Sequence, residues 1–148
     1  MEATLVLCDH AESVNGKLYI NGGGWNMLFA PDVPVTFSLA VLVEVPWDQT
    51  NVRHTLVAEM LTADGDVVEI EGNPVHLEAG FEIGRPPGLK AGMALNTPMA
   101  FTIQNIALPA GGYEWRLFVD GELVARKPFL VMIPPGMAGP LQGLGGLR

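Results

Sequence analysis

Charge is scarce in this sequence. Of 148 residues only 16% are Asp, Glu, Lys or Arg, against about 25% in typical soluble domains. Basic residues are the scarcer sign, eight against 16 acidic, for a net charge of −8. Nucleic acid needs a basic face and anionic lipid attracts basic segments, so neither partner is expected. One cysteine, Cys8, excludes an internal disulfide. No apolar run approaches 18 residues, the length that marks a membrane-spanning helix. The first ten residues lack a basic segment, and their apolar run is only Leu5–Cys8, which does not read as a signal peptide. The expected location is cytoplasmic.

Long helices are short of room as well, because 12 prolines are scattered through the chain. Hydrophobic residues, at 49%, are too many for wholesale disorder. The length fits one domain of about 100–150 residues.

The apolar period is two. Val35, Phe37, Leu39, Val41, Val43 and Val45 share one face, and Thr36, Ser38, Ala40, Leu42 and Glu44 the other. Tyr113, Trp115, Leu117 and Val119 alternate with Glu114, Arg116 and Phe118. Half-buried strands read this way. Strands are expected near 3–8, 17–21, 25–29, 35–45, 53–62, 67–71, 75–83, 99–107, 113–119 and 122–132. Asn15-Gly16, Asp64-Gly65 and Asp120-Gly121 sit between such runs and predict type I′ hairpin turns. The expectation is an all-β, antiparallel two-sheet β-sandwich over 1–133, followed by a Gly/Pro-rich, apolar and flexible tail over 134–148. The hairpin from Tyr113 to Phe129 resembles the last hairpin of immunoglobulin-like sandwiches, with Tyr113 where a tyrosine corner falls.

The charge is unevenly placed. Residues 1–84 hold 13 acids and two bases, whereas 85–148 hold three acids and six bases. Between Arg53 and Arg85 there are seven acids and no base. This stretch reads as a solvated acidic flank or as a surface for a basic partner.

Several motifs stand together: Leu7-Cys8-Asp9-His10-Ala11-Glu12, Asn15-Gly16-Lys17-Leu18-Tyr19-Ile20, Gly22-Gly23-Gly24-Trp25, Val45-Pro46-Trp47-Asp48-Gln49-Thr50-Asn51 and Gly84-Arg85-Pro86-Pro87-Gly88. With them the chain, from about residue 3 to 132, resembles a small family of uncharacterised bacterial proteins. That resemblance implies no activity, cofactor or catalytic residue.

Cys8, Asp9, His10 and Glu12 are the densest chemical cluster. On a strand Cys8 and His10 share a face, and His54 or His76 would have to complete a metal site. Zinc prefers two close ligand pairs, and a nucleophilic thiol needs an electropositive setting; this sequence offers neither, so no metal, cofactor or catalytic residue is assigned. Gly22-Gly23-Gly24 lacks the Lys-Ser/Thr ending of a phosphate loop and reads as a bulge or close strand approach. Trp25, Trp47 and Trp115 read as core or as a stacking surface for a sugar, with Trp47 the most ambiguous. Arg85 lies in a stiff Pro-Pro loop that either presents it or merely connects two sheets. Leu141 and Leu144 make the tail a candidate docking segment. The expected function is a non-enzymatic protein-interaction or self-assembly module, the partner being another protein or a second copy, because low surface charge and sheet edges favour association. The alternatives are a small-ligand or carbohydrate binder using an exposed Trp, and a metal or Cys enzyme centred on Cys8 and His10.

Overall fold

The computed structural model describes residues 1–137. Eleven strands form in chain order: β1 Glu2–Val14, β2 Lys17–Gly23, β3 Met27–Leu28, β4 Val35–Val45, β5 His54–Thr62, β6 Glu69–Ile70, β7 Asn73–Pro74, β8 His76–Phe81, β9 Leu95–Ile106, β10 Gly111–Val119 and β11 Glu122–Val131. Two short 3-10 turns cover Trp47–Gln49 and Pro135–Met137. One sheet has the order β2-β1-β4-β9 and the other β3-β11-β10-β5-β8, while β6 and β7 make a small ribbon of their own. The two larger sheets form an all-β, sandwich-like arrangement.

Alternation drives the packing. Inward residues of β4, Phe37, Leu39, Val41, Val43 and Val45, meet Leu56, Ala58 and Met60 of β5 and Trp115, Leu117 and Val119 of β10, all buried in one cluster. Trp115 is fully enclosed, and its indole N–H has no hydrogen-bond partner. Aromatic rings continue the core toward one end. Trp25 meets Phe37 edge-on at 5.5 Å, Phe37 meets Phe129 at 6.3 Å, and Tyr113 stacks on Phe129 at 5.5 Å. There the Tyr113 hydroxyl donates to the carbonyl of Pro109 at 2.7 Å, the geometry of a tyrosine corner.

Two expectations change. The sandwich is not wholly antiparallel, because β3 pairs in parallel with the end of β11, Met27 beside Leu130. After the β1–β2 hairpin the chain crosses to the other sheet and arrives in the same direction as β11. The turns at Asn15-Gly16 and Asp120-Gly121 have positive φ at both central residues, as type I′ requires, but at Asp64-Gly65 only Gly65 does. The Thr62 hydroxyl accepts from the Asp66 N–H there, and a single bridge, Leu61 to Val67, replaces a ladder.

The β1–β2 hairpin is longer than its apolar run suggests, and it curls over the outer face of its own sheet. Ser13 donates to the Pro98 carbonyl of β9 at 3.1 Å, reaching past β4. Beneath it, Cys8, Ala11 and Ala40 form a second small buried cluster. The curl needs glycine: a Cβ at Gly22 (φ +60°) would collide with the Asp9 side chain, and one at Gly23 would lie 2.6 Å from Ile20 Cγ2.

Candidate functional site

Three connections gather at the end of the sandwich opposite Tyr113: 46–53 between β4 and β5, 82–94 between β8 and β9, and the Asp120-Gly121 turn between β10 and β11. The Asn51 N–H donates to the Ile83 carbonyl at 2.8 Å, tying the first two together. The Asp120 N–H donates to the Thr55 carbonyl at 2.9 Å, fixing the third against β5.

Trp47 and Arg85, 38 positions apart, meet here. The Arg85 guanidinium lies over the Trp47 ring with its carbon 4.0 Å from the centroid. Its Nε–H donates to Thr50 Oγ1 at 2.6 Å and an Nη2–H donates to the Trp47 carbonyl at 2.7 Å. The Thr50 hydroxyl donates to that same carbonyl at 2.7 Å. Stacking and two hydrogen bonds fix the Arg85 side chain, and the bonds to the Trp47 carbonyl hold the backbone under the ring, with Trp47 half-buried and Arg85 exposed. A cleft of about 530 Å³ opens beside Trp47, lined also by Glu2, Glu44 and Asp48. Glu2 and Glu44 are direct cross-strand partners, an unfavourable pairing of like charges.

Beneath these loops lies His54, 3% exposed. Its Nδ1–H donates to the Asp120 carboxylate at 2.6 Å and its Nε2–H to the Gln49 carbonyl at 2.8 Å. Because both nitrogens face acceptors, the site favours the imidazolium form of the ring. Burial pulls its pKa down. The bonds to Gln49 and Asp120, with the charges of Asp120 and Glu82, outweigh that and leave it above the usual histidine value. Asp120 moves the opposite way, lowered by its bonds to His54 and to the Thr55 N–H at 2.9 Å. The imidazole therefore staples the Trp47–Gln49 turn, β5 and the β10–β11 turn. A smaller cleft of about 310 Å³ borders the pair.

The amino-terminal cluster is not drawn together. Cys8 is buried and donates weakly to the Ser38 carbonyl at 3.5 Å. Burial and the Asp9 charge push its thiol above the ordinary range. His10 is exposed and pairs with Glu12 at 3.1 Å. The β1–β2 register runs unbroken from Cys8 to His10, yet Cys8 is sealed beside Ala11 and His10 is exposed, so the two do not meet in one pocket. Among the described residues no group of three His, Cys, Asp or Glu converges as a metal site. Leu141 and Leu144 lie outside the described residues. Trp115 belongs to the core, and Trp25, partly buried, packs against it. His54 with Asp120 is the feature that sequence reading misses; 66 positions separate them, and Asp120 is already explained by its turn.

The fold and its loop end define an all-β sandwich domain with the sequence motifs of two loops joined in one platform. The chain belongs to the family of unknown function DUF6941, whose model matches residues 3–132. No curated protein matches it. Among solved structures it is similar to an alkylpurine DNA glycosylase AlkC of Pseudomonas fluorescens bound to DNA containing an abasic site analog. The two share 13% identity at a TM-score of 0.41, over 88% of this chain and 30% of that one. No helix among the described residues is long and apolar enough to cross a membrane.

Proposed function

We propose that this chain is a non-enzymatic protein-interaction module that meets its partner through the loop end, with Trp47 and Arg85 as anchors. The observation that carries this is the Trp47–Arg85 stack locked by Thr50. Trp and Arg dominate the energetics of protein interfaces, and side chains already immobilised lose little entropy on binding.

Three further points support the reading. Strand order β11-β10-β5-β8 against β1-β4-β9, with Tyr113 bonded to Pro109, favours an immunoglobulin-like build. In variable domains of that build the loops at one end form the binding surface, an argument by analogy alone. Cys8 is a buried thiol and His54 is engaged through both ring nitrogens. A cytoplasmic location rests on the single cysteine.

Peptide display against the protein, with counter-selection on the double variant Trp47→Ala/Arg85→Ala, tests the proposal. Binders that need the loop end are expected. A selection in which every binder is retained by the double variant overturns it. Light scattering over a concentration series decides whether a second copy is the partner, by whether the measured mass rises and the double variant abolishes the rise.

A further inference from the structure

A guanidinium carries five N–H donors in one plane, two along its side edge and two parallel at its end. In Arg85 the side edge is spent, Nε–H on Thr50 Oγ1 and Nη2–H on the Trp47 carbonyl. Both acceptors are neutral. Among the described residues no carboxylate forms an ion pair with Arg85, and its end edge has no partner. The Trp47 ring backs the plane at 4.0 Å and fixes its orientation. An exposed, uncompensated and oriented cation is thus held ready in a chain of net charge −8. Two parallel N–H groups at the end of a guanidinium match the two oxygens of a carboxylate.

The surroundings narrow the choice. The cleft on the Trp47 side is lined by three carboxylate residues, Glu2, Glu44 and Asp48, against the single amino-terminal residue Met1, so its balance is acidic. A polyanion meets repulsion there, whereas a positive group entering beside Glu2 and Glu44 relieves their mutual repulsion.

We propose that Arg85 receives a single carboxylate of a partner peptide segment, an Asp or Glu flanked by Lys or Arg, with the flanking cation seated in the Glu2/Glu44/Asp48 cleft. This rests on the reading of the loop end as an interaction surface and gives that surface its partner chemistry.

The test is a nitrogen-15 NMR titration of the full chain. It follows the Arg85 Nε–H and Trp47 indole N–H signals as acetyl-Lys-Asp-Lys-amide is added. Saturable shifts are expected. Affinity is expected to fall at least tenfold when the probe carries Asn instead of Asp, and at least tenfold in Arg85→Lys, which keeps the charge and loses the paired donors. Acetate and inorganic phosphate, the free sources of the same oxygens, are expected to bind at least tenfold more weakly than the Asp peptide. No saturable shift, equal binding of the Asn peptide, an unaffected Arg85→Lys protein, or phosphate saturating in the same range each overturns the proposal. The change of probe residue keeps the result independent of how any variant folds. Display binders that need the loop end yet carry no carboxylate would sink this inference and leave the interaction reading standing, whereas a display with no binders that need the loop end sinks the reading itself.

Discussion

The two ends of the sandwich are closed by different physics. At one end Trp25, Phe37, Phe129 and Tyr113 form a ladder of rings, and the Tyr113 hydroxyl bonds a neutral carbonyl. At the other the closures involve charge, the ion pair of His54 with Asp120 and the Arg85 cation over the neutral Trp47 ring. Apolar burial and neutral hydrogen bonds do not depend on pH or salt in the ordinary range, whereas charged pairs do. The aromatic end therefore anchors the fold, and the ionic end responds to its surroundings.

Replacing a ring of the aromatic end gives the largest effect. Phe129→Ala is expected to cost about 3–5 kcal/mol and to lower the melting temperature by roughly 10 °C or more. Calorimetry at several pH values would show the same loss at each; a pH-dependent loss would break the contrast.

The His54 staple comes next. Its folded pKa is raised, so its contribution is complete below the ordinary histidine value of about 6.5 and is lost as pH rises through the folded value. Asp120 is lowered, so its contribution is complete above the ordinary carboxylate value of about 3.9 and is lost as pH falls through the folded one. The pair is strongest between those two ordinary values. Asp120→Asn is expected to cost about 1–3 kcal/mol in that window, and the gap between it and the parent should shrink as pH rises through the raised folded value of His54. Melting curves of both proteins from the window upward decide the point, since a constant gap would mean that His54 is not an imidazolium there.

Smaller effects sharpen the picture. Tyr113→Phe should lose about 1 kcal/mol, one net hydrogen bond, at every pH. Arg85→Ala should change stability least, by about 1 kcal/mol or less, because its cation–π contact and its two hydrogen bonds are made by an exposed side chain and water replaces much of what they contribute. It should nevertheless remove the display binders that need the loop end; denaturant curves alongside binding would separate the two effects.

Local pattern made much of the fold legible. The alternation along Val35–Val45 marks β4 to the residue, and Asn15-Gly16 and Asp120-Gly121 announce their turns through side chains that tolerate positive φ. The parallel placement of β3 is not local, since two residues carry no directional signal and only the crossover sets it. The curl of β1 also escapes a period-two reading, because Cys8 and Ala11, three positions apart, are buried together in one cluster. At the loop end Trp47 and Arg85 stand out singly as an aromatic and a cation in turn-rich segments. Their stacking depends on which loops the topology brings side by side, and no spacing along the chain encodes that.

The placement of Cys8 under the curled β1–β2 hairpin has a practical consequence. The thiol is sealed from solvent while the hairpin lies down, so an alkylating reagent can reach it only during moments of local opening. Its labelling rate is a built-in stopwatch for that lifting, read from the unaltered chain with no dye or engineered reporter.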